Sequence, residues 1–586
     1  ITKGTPDKLS GSATLHYSHP QHKEEGGSRR ASFSLGAPLS EMLGFRLTGN
    51  IAKTDSDAWD INRNHASTRT GTFAGTFPAG REGVRNRDLD ARLSLKANAQ
   101  HRLDLDASFS RQGNIYTGDT QNTNNYTTLP NGQLAPTSRR VQEALGSETN
   151  RMYRSNYALT HTGRYEGGAS SSAYVQHEIT RNERMDEGLA GGTEGLFSTG
   201  NFSTGRLKST TLHGEYNQPG KWGSLDHVIT LGLEGVHQSF DDPNSVSQAT
   251  TEGGTIAGLA STGRSSKISA KIYSVFVEDN IELTPETILT PGVRFDHHSK
   301  AGNNWSPSLN LTREITLKAG VARAYKAPNL YQLNPNYLLY SRGIGCWGGG
   351  GSCYLMGNSN LKAETSINKE LGIELANDTL VAGLTYFHND YRDKIEAGHS
   401  VIGKATGGTG RTANASIFQW DNVPKALVTG LEGTFNYNFT PRVAWTNNLT
   451  YMIKSENKST GEQLSIIPKY TVNSRLEWKV TDEASVFGTA TFYGRQKANK
   501  LDYQGLPVQG EEAQGLSPYA LVGLGGNYAV SRNLKVGLGV DNIFDKRLFR
   551  RGNAVGVNNP RTIYGAGAAT YNEPGRTFYV TLTGTL

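Results

Sequence analysis

Apolar and polar residues alternate with a period of two along nearly the whole chain. From Leu103, one face carries Leu103, Leu105, Ala107 and Phe109, and the other Asp104, Asp106, Ser108 and Ser110. Phe45, Leu47, Gly49 and Ile51 oppose Arg46, Thr48, Asn50 and Ala52; Val472, Ser474, Leu476, Trp478 and Val480 oppose Arg475, Glu477 and Lys479. Successive strand side chains point to opposite faces, so each such run is a strand with one apolar and one polar side. A soluble sandwich produces the same local pattern, and alternation alone leaves the fold class open.

The connections narrow it. Short polar turns fall near 37–41, 98–102, 166–170, 219–224, 284–287, 312–315, 376–379, 440–443, 481–484 and 531–533. Between them lie longer, Gly-rich stretches at 18–30, 54–86, 111–155, 181–210, 240–266, 296–305, 324–366, 390–428, 453–466, 494–517 and 547–575. Ten turns and eleven loops join about 22 strands in series. Strict alternation of short and long connections marks a transmembrane antiparallel β-barrel, with short periplasmic turns and long extracellular loops. The expected fold class is therefore all-β, in the bacterial outer membrane and bounded by its lipid. No run approaches the roughly 18 apolar residues of a membrane helix. Only 35% of the residues are hydrophobic and mean hydropathy is −0.53, as expected when only every second strand residue meets lipid. The net charge of +7 is scattered, which argues against nucleic acid as a partner.

The barrel is expected over 12–586, its first strand at Ser12–Tyr17 and its last along Phe578, Val580, Leu582, Gly584 and Leu586. Residues 1–11 are expected to be the end of a plug or linker. A lumen of 22 strands is wide enough to need a plug, which implies a gated transporter.

Only two cysteines occur, in "YSRGIGCWGGGGSCYLMGN" from Tyr340 to Asn358. Zinc would need further nearby thiolates or imidazoles, and a redox C-x-x-C pair opens a helix that this glycine run cannot start. A disulfide between Cys346 and Cys353, pinching a loop tip in an oxidising compartment, is the expectation, with two free thiols as the alternative.

A resemblance is carried by "HKEEGGSRR", "SRQGNIYTGDTQNTN", "TPGVRFDHHS", "ARAYKAPNLYQLNPNY", "NLKAETSINKE", "QWDNVPKALVTGLEG", "VDNIFDKRLFRRGNA" and "YNEPGRTFY". On these stretches, spread from 22 to 579, the chain resembles the barrel of TonB-dependent siderophore receptors, specifically the ferric enterobactin group. The resemblance implies a ferric catecholate siderophore as ligand, with its iron held by the siderophore and by no protein side chain. It also implies an N-terminal plug and, through it, the TonB complex as partners. The ligand is a triply negative iron complex with aromatic faces, so cations and aromatic surfaces should bind it.

Loop residues of that kind are Tyr116, Arg184, Phe197, Arg264, Tyr325, Tyr340, Arg342 and Trp347, with Tyr126, Arg181, Phe202, Arg206, Tyr337, Tyr503, Arg550 and Arg551 as weaker candidates. By resemblance, Arg264 and Arg342 occupy positions where family members present arginines to the iron–catecholate. Family members often carry Gln two residues after the second arginine; here Ile344 stands instead. The family's frequent terminal Phe is Leu586. His297–His298 lacks further metal ligands, and no Ser/His/Asp grouping suggests catalysis. The expectation is a receptor with no cofactor and no enzymatic activity. Haem or a hydroxamate siderophore as ligand, or a plug-less open pore, are the alternatives.

Overall fold

The short connections are tight reversals. Ser40 Oγ accepts from the Leu43 amide, and Asn98 Oδ1 and Asn377 Oδ1 each accept two backbone amides of their own turns. The computed structural model describes residues 8–62, 64, 77–118, 123–124, 142–187, 197–313, 317–341, 346–347, 351–498, 500–501, 507, 513, 515–549 and 573–586. Within them the strands form a closed antiparallel barrel of 22 strands, each paired with its neighbours in sequence. The wall closes where Ser10–Pro20 pairs with Thr577–Thr585, with Leu15 opposite Leu582. Closure removes the sheet edges that lipid could not satisfy.

All ten expected turns and eleven expected loops lie between strands. The strands run further than expected. The barrel opens at Ser10, opposite Gly36, two residues before the expected start. Phe197–Trp222 and Ser416–Thr440 are 26 and 25 residues long, against the roughly 9–11 that cross a bilayer. The excess lies at the loop end, where neighbouring strands continue the ladder beyond the lipid span. The stretches 181–187 and 416–428 read as loop in the sequence, because beyond the membrane the outward face no longer needs to be apolar and the alternation breaks down.

The faces agree with the alternation. Leu105 is 50% and Phe109 44% exposed on the outer wall, whereas Asp104 is buried. On the lumen side, polar groups satisfy one another across strands. Arg92 grips Asp106 in a two-pronged pair at 2.6 and 2.8 Å, and Arg294 reaches Asp296 and Glu234, both at 2.8 Å. Glycine matters where an aromatic ring crosses a strand: a Cβ on Gly232 would lie 1.9 Å from the Phe276 ring.

At the loop end the seam is latched by charge. Glu25, buried, accepts from Arg547 and from the Gly575 amide, and Asp545 accepts from the Arg576 amide beside His22. Asn542 bonds the carbonyls of Lys546 and Pro574. The "DNIFDKR" and "EPGR" stretches thus hold the last loop to the first. Next to them Arg81 donates twice to the buried Asp57, which also accepts from the Gly26 amide. Burial works against the Asp57 carboxylate, but Arg81 outweighs it and leaves the pKa below its ordinary value.

Candidate ligand-capture site

Three loops build a platform above the barrel mouth. The strands Leu338–Ser341 and Cys353–Met356 form a hairpin with Tyr340 opposite Tyr354. Cys353–Met356 then runs parallel to Ser416–Gln419, and Gly403–Lys404 pairs with the same segment. The Tyr340 and Tyr354 rings meet tilted, 5.0 Å apart, in a core with Ile256, Leu338, Ala405, Ala415 and Ile417. The backbone at Gly253 lies directly on both rings, where any Cβ would come within 2.8 Å of them. The Tyr354 hydroxyl donates to the Gly254 carbonyl at 3.1 Å, and burial pushes its pKa up to about 12. A short helix, Leu330–Leu333, is closed by the reciprocal cap of Asn329 and Gln332. It packs Leu333 against Leu361 and Ile395.

The tip of the hairpin is the pinched loop. Cys346 and Cys353 are disulfide-bonded, with Cα atoms 5.9 Å apart, and pack on Phe418, Leu355 and Trp347. Trp347 stacks on His399 at 3.9 Å with the rings 10° from parallel. Tyr331 meets Trp420 edge-on at 5.8 Å and Tyr337 at 5.9 Å. Trp347 and Phe418 thus place aromatic rings against the disulfide.

The structure separates the expected site residues. Arg264 is 7% exposed, and its guanidinium is spent on five carbonyls: Asn336, Ala260, Ser261, Val246 and Gln248, at 2.5–3.1 Å. Burial lowers its pKa. With every direction of the fork engaged, Arg264 ties its own loop to Asn336, two residues before the Leu338–Ser341 strand, and offers no donor to a ligand in this conformation. Tyr340 is likewise inside the platform, not on its surface. Tyr116 is buried beside Ala144, Leu145 and Met185 in another loop. Tyr325 belongs to the wall strand Leu317–Lys326, opposite Thr365.

Trp347 is at the tip and part-exposed. Arg184 is half-exposed beside Asp242 at 3.4 Å. Arg181 and Arg206 sit directly opposite each other and share the face of Arg111 and Tyr153, away from the lumen. Arg342, Ile344, Tyr126, Tyr503, Arg550, Arg551 and the Phe197 side chain lie outside the described residues. Arg342 follows directly on Ser341, whose partner is Cys353.

The sequence reading missed His399, Tyr331, Trp420 and Tyr354. Tyr354 stood in the quoted cysteine stretch and could have been found by strand alternation across the hairpin. His399 meets Trp347, and Trp420 meets Tyr331, only through chain reversals of 50 or more residues. Among the described residues no group of three or more His, Cys, Asp or Glu side chains could hold a metal ion.

The family model for "TonB dependent receptor-like, beta-barrel" matches residues 44–543. The chain is 58% identical to the ferric enterobactin receptor of Pseudomonas aeruginosa, over all of this chain and 77% of that protein. It is 49% identical to the ferrienterobactin receptor of Escherichia coli, over 99% of this chain and 77% of that one. Among solved structures, a variant of the P. aeruginosa ferric enterobactin receptor in complex with enterobactin superposes with a TM-score of 0.94 at 56% identity. That match covers 100% of this chain and 82% of the other.

Proposed function

The chain belongs to the TonB-dependent receptor β-barrel family, and on that premise we propose that it captures ferric enterobactin-type catecholate siderophores at its outer loops and passes them inward with TonB-derived energy. The observation that carries the reading is the 58% identity, across the whole chain, to a protein named a ferric enterobactin receptor. The platform supports it chemically. A ferric catecholate offers flat aromatic faces and three negative charges; the disulfide tip offers the stacked Trp347–His399 pair, and the sequence carries Arg342 four residues before Cys346.

In this reading Arg342 binds the complex by a charge-assisted, planar fork. Trp347 supplies a stacking face. Arg264, Tyr340 and Tyr354 hold the backbone that positions them. Tyr116, Arg184, Phe197 and Tyr325 are proposed as contacts met later or at the edge of the ligand. A tightly bound ligand does not leave inward without an external source of free energy, which is the role assigned to a plug coupled to TonB. The polar lumen wall, with its Arg92–Asp106 and Arg294–Glu234 pairs, is the surface such a plug would meet.

Tryptophan quenching of the plug-bearing protein by ferric enterobactin tests the reading. Saturable quenching is expected with ferric enterobactin and not with haem or a ferric hydroxamate; preference for either of those would overturn it.

A further inference from the structure

At the end of the barrel where the short turns lie, the outer wall carries two imidazoles that neither ligand capture nor the seam uses. His101 opens the strand His101–Ile115 directly after a tight turn, in which the Ala97 amide donates to the His101 carbonyl. It stands opposite Gly163 of the strand Asn150–Arg164, and His161 of that strand stands opposite Leu103. The next pair on the same face toward mid-membrane is Leu105 and Leu159, both exposed on the outer wall. Side chains two apart share a face, so His101 and His161 point outward at the boundary between hydrocarbon and the compartment of the turns.

The two rings lie 20° from parallel with centroids 5.3 Å apart, and His101 Nδ1 is 3.1 Å from His161 Nε2. Among the described residues neither ring has a carboxylate or any other hydrogen-bond partner. Tyr165 closes the group. Its ring meets His101 edge-on at 5.5 Å, and its hydroxyl is 2.9 Å from Ser171 Oγ. A Cβ on Gly163 would lie 2.8 Å from both of those oxygens, so only glycine opposite His101 leaves room for the phenol.

An interfacial belt is served by Trp and Tyr and does not require two ring nitrogens aimed at each other. Two neutral imidazoles so placed share one proton, and the same spacing is the bite of a metal ion. Two metal–imidazole bonds of about 2.0 Å span roughly 2.8 Å when they meet at a right angle and roughly 3.3 Å at the tetrahedral angle. The observed separation falls between these limits. A pair of imidazoles falls short of the four protein ligands of structural zinc. Copper(II) instead takes two nitrogens together with oxygen donors in a tetragonal shell, and it binds such sites more tightly than the other divalent first-row ions.

We propose that His101 and His161 chelate one copper(II) ion at the short-turn rim, through His101 Nδ1 and His161 Nε2, with solvent oxygens completing the shell. As the ion enters, the proton between the two nitrogens moves to the far nitrogen of its own ring. The Tyr165 ring holds the His101 imidazole from the side.

Electron paramagnetic resonance of the plug-bearing protein, free of any histidine tag and titrated with copper(II) chloride after chelator treatment, tests this. One ion per chain is expected, with spin-echo modulation from the remote nitrogens of two imidazoles. His101→Gln and His161→Gln should each reduce that pattern to one imidazole, and the double variant should lose the ion. An equal concentration of zinc(II) should leave the copper signal in place. Heat-modifiable electrophoretic mobility reports whether each variant still forms the barrel, and His161→Tyr, which suits an interfacial belt, serves where glutamine does not. An unchanged two-imidazole pattern in the variants, no stoichiometric uptake by the unmodified protein, or displacement of the copper by equimolar zinc(II) would each overturn the proposal.

Discussion

Arg264 shows how a cation that looks available in a loop is consumed by its own backbone. Five carbonyls surround the guanidinium, and a lysine could satisfy at most three of them. Hydrogen bonds to a charged group contribute roughly 1.5–3 kcal/mol each and are not additive. Arg264→Ala and Arg264→Lys should therefore both raise hydrogen exchange across 246–264 and 336–341, with any loss of ligand affinity following from that disorder. Fast exchange in the alanine variant alone would mean the fork geometry is unimportant.

A second residue-scale prediction concerns Asp57. Its folded pKa lies below the ordinary value, so its contribution is present above the unfolded carboxylate pKa of about 3.9 and is lost as pH falls through the still lower folded value. Hydrogen exchange of 24–27 and 79–82 should stay slow from pH 6 to about 4 and open only below that. Opening between pH 6 and 5 would contradict the Arg81 clamp. None of these roles was legible in the sequence. Arg264 meets partners up to 72 residues away and Asp57 meets Arg81 across a loop. A run of polar loop residues carries no periodicity from which such contacts could be read.

At the scale of elements the reverse holds. Strand positions and facings were legible because lipid and lumen impose opposite demands on alternate residues, as at Leu105 and Asp104. The limit came at the strand ends, where the outward demand ceases and Phe197–Trp222 continues unseen. Leu105→Arg should cost about 2–4 kcal/mol near the bilayer midplane, read as loss of the folded, heat-modifiable species. Folding as efficient as that of the unmodified chain would place Leu105 off the lipid face. The Cys346–Cys353 hairpin was also legible, because two cysteines flanking a glycine run leave few chemistries. What it packs on was not: His399 lies 52 residues beyond Trp347. Thiol labelling without reductant should modify neither cysteine. Closing so short a loop is worth about 2–3 kcal/mol on the chain-entropy account, and Cys346→Ser with Cys353→Ser should accordingly weaken ligand capture by loosening the tip.

For the whole molecule, barrel size, loop asymmetry and latched seam describe a wide vessel with an organised outer mouth. Its wall is complete without the ligand, and among the described residues its lumen carries paired charges, with rings such as Phe276 and Phe487 lying under Arg294 and Arg475. The ligand contacts proposed above are concentrated at one tip, so selectivity should rest on few groups there. Removing the Arg342 guanidinium should cost about 1.5–3 kcal/mol, roughly a ten- to hundredfold loss, with Arg342→Lys recovering only part because charge is kept and the planar fork is not. Affinity should also fall as salt rises, since the tip is solvated and its field is screened. The most direct measurement is a tryptophan-quenching titration of ferric enterobactin against the plug-bearing protein and its Arg342→Ala variant. Saturable binding that weakens ten- to hundredfold in the variant is expected. Absence of binding to the unmodified protein, or identical affinity in both, would contradict capture of an anionic catecholate at the disulfide tip.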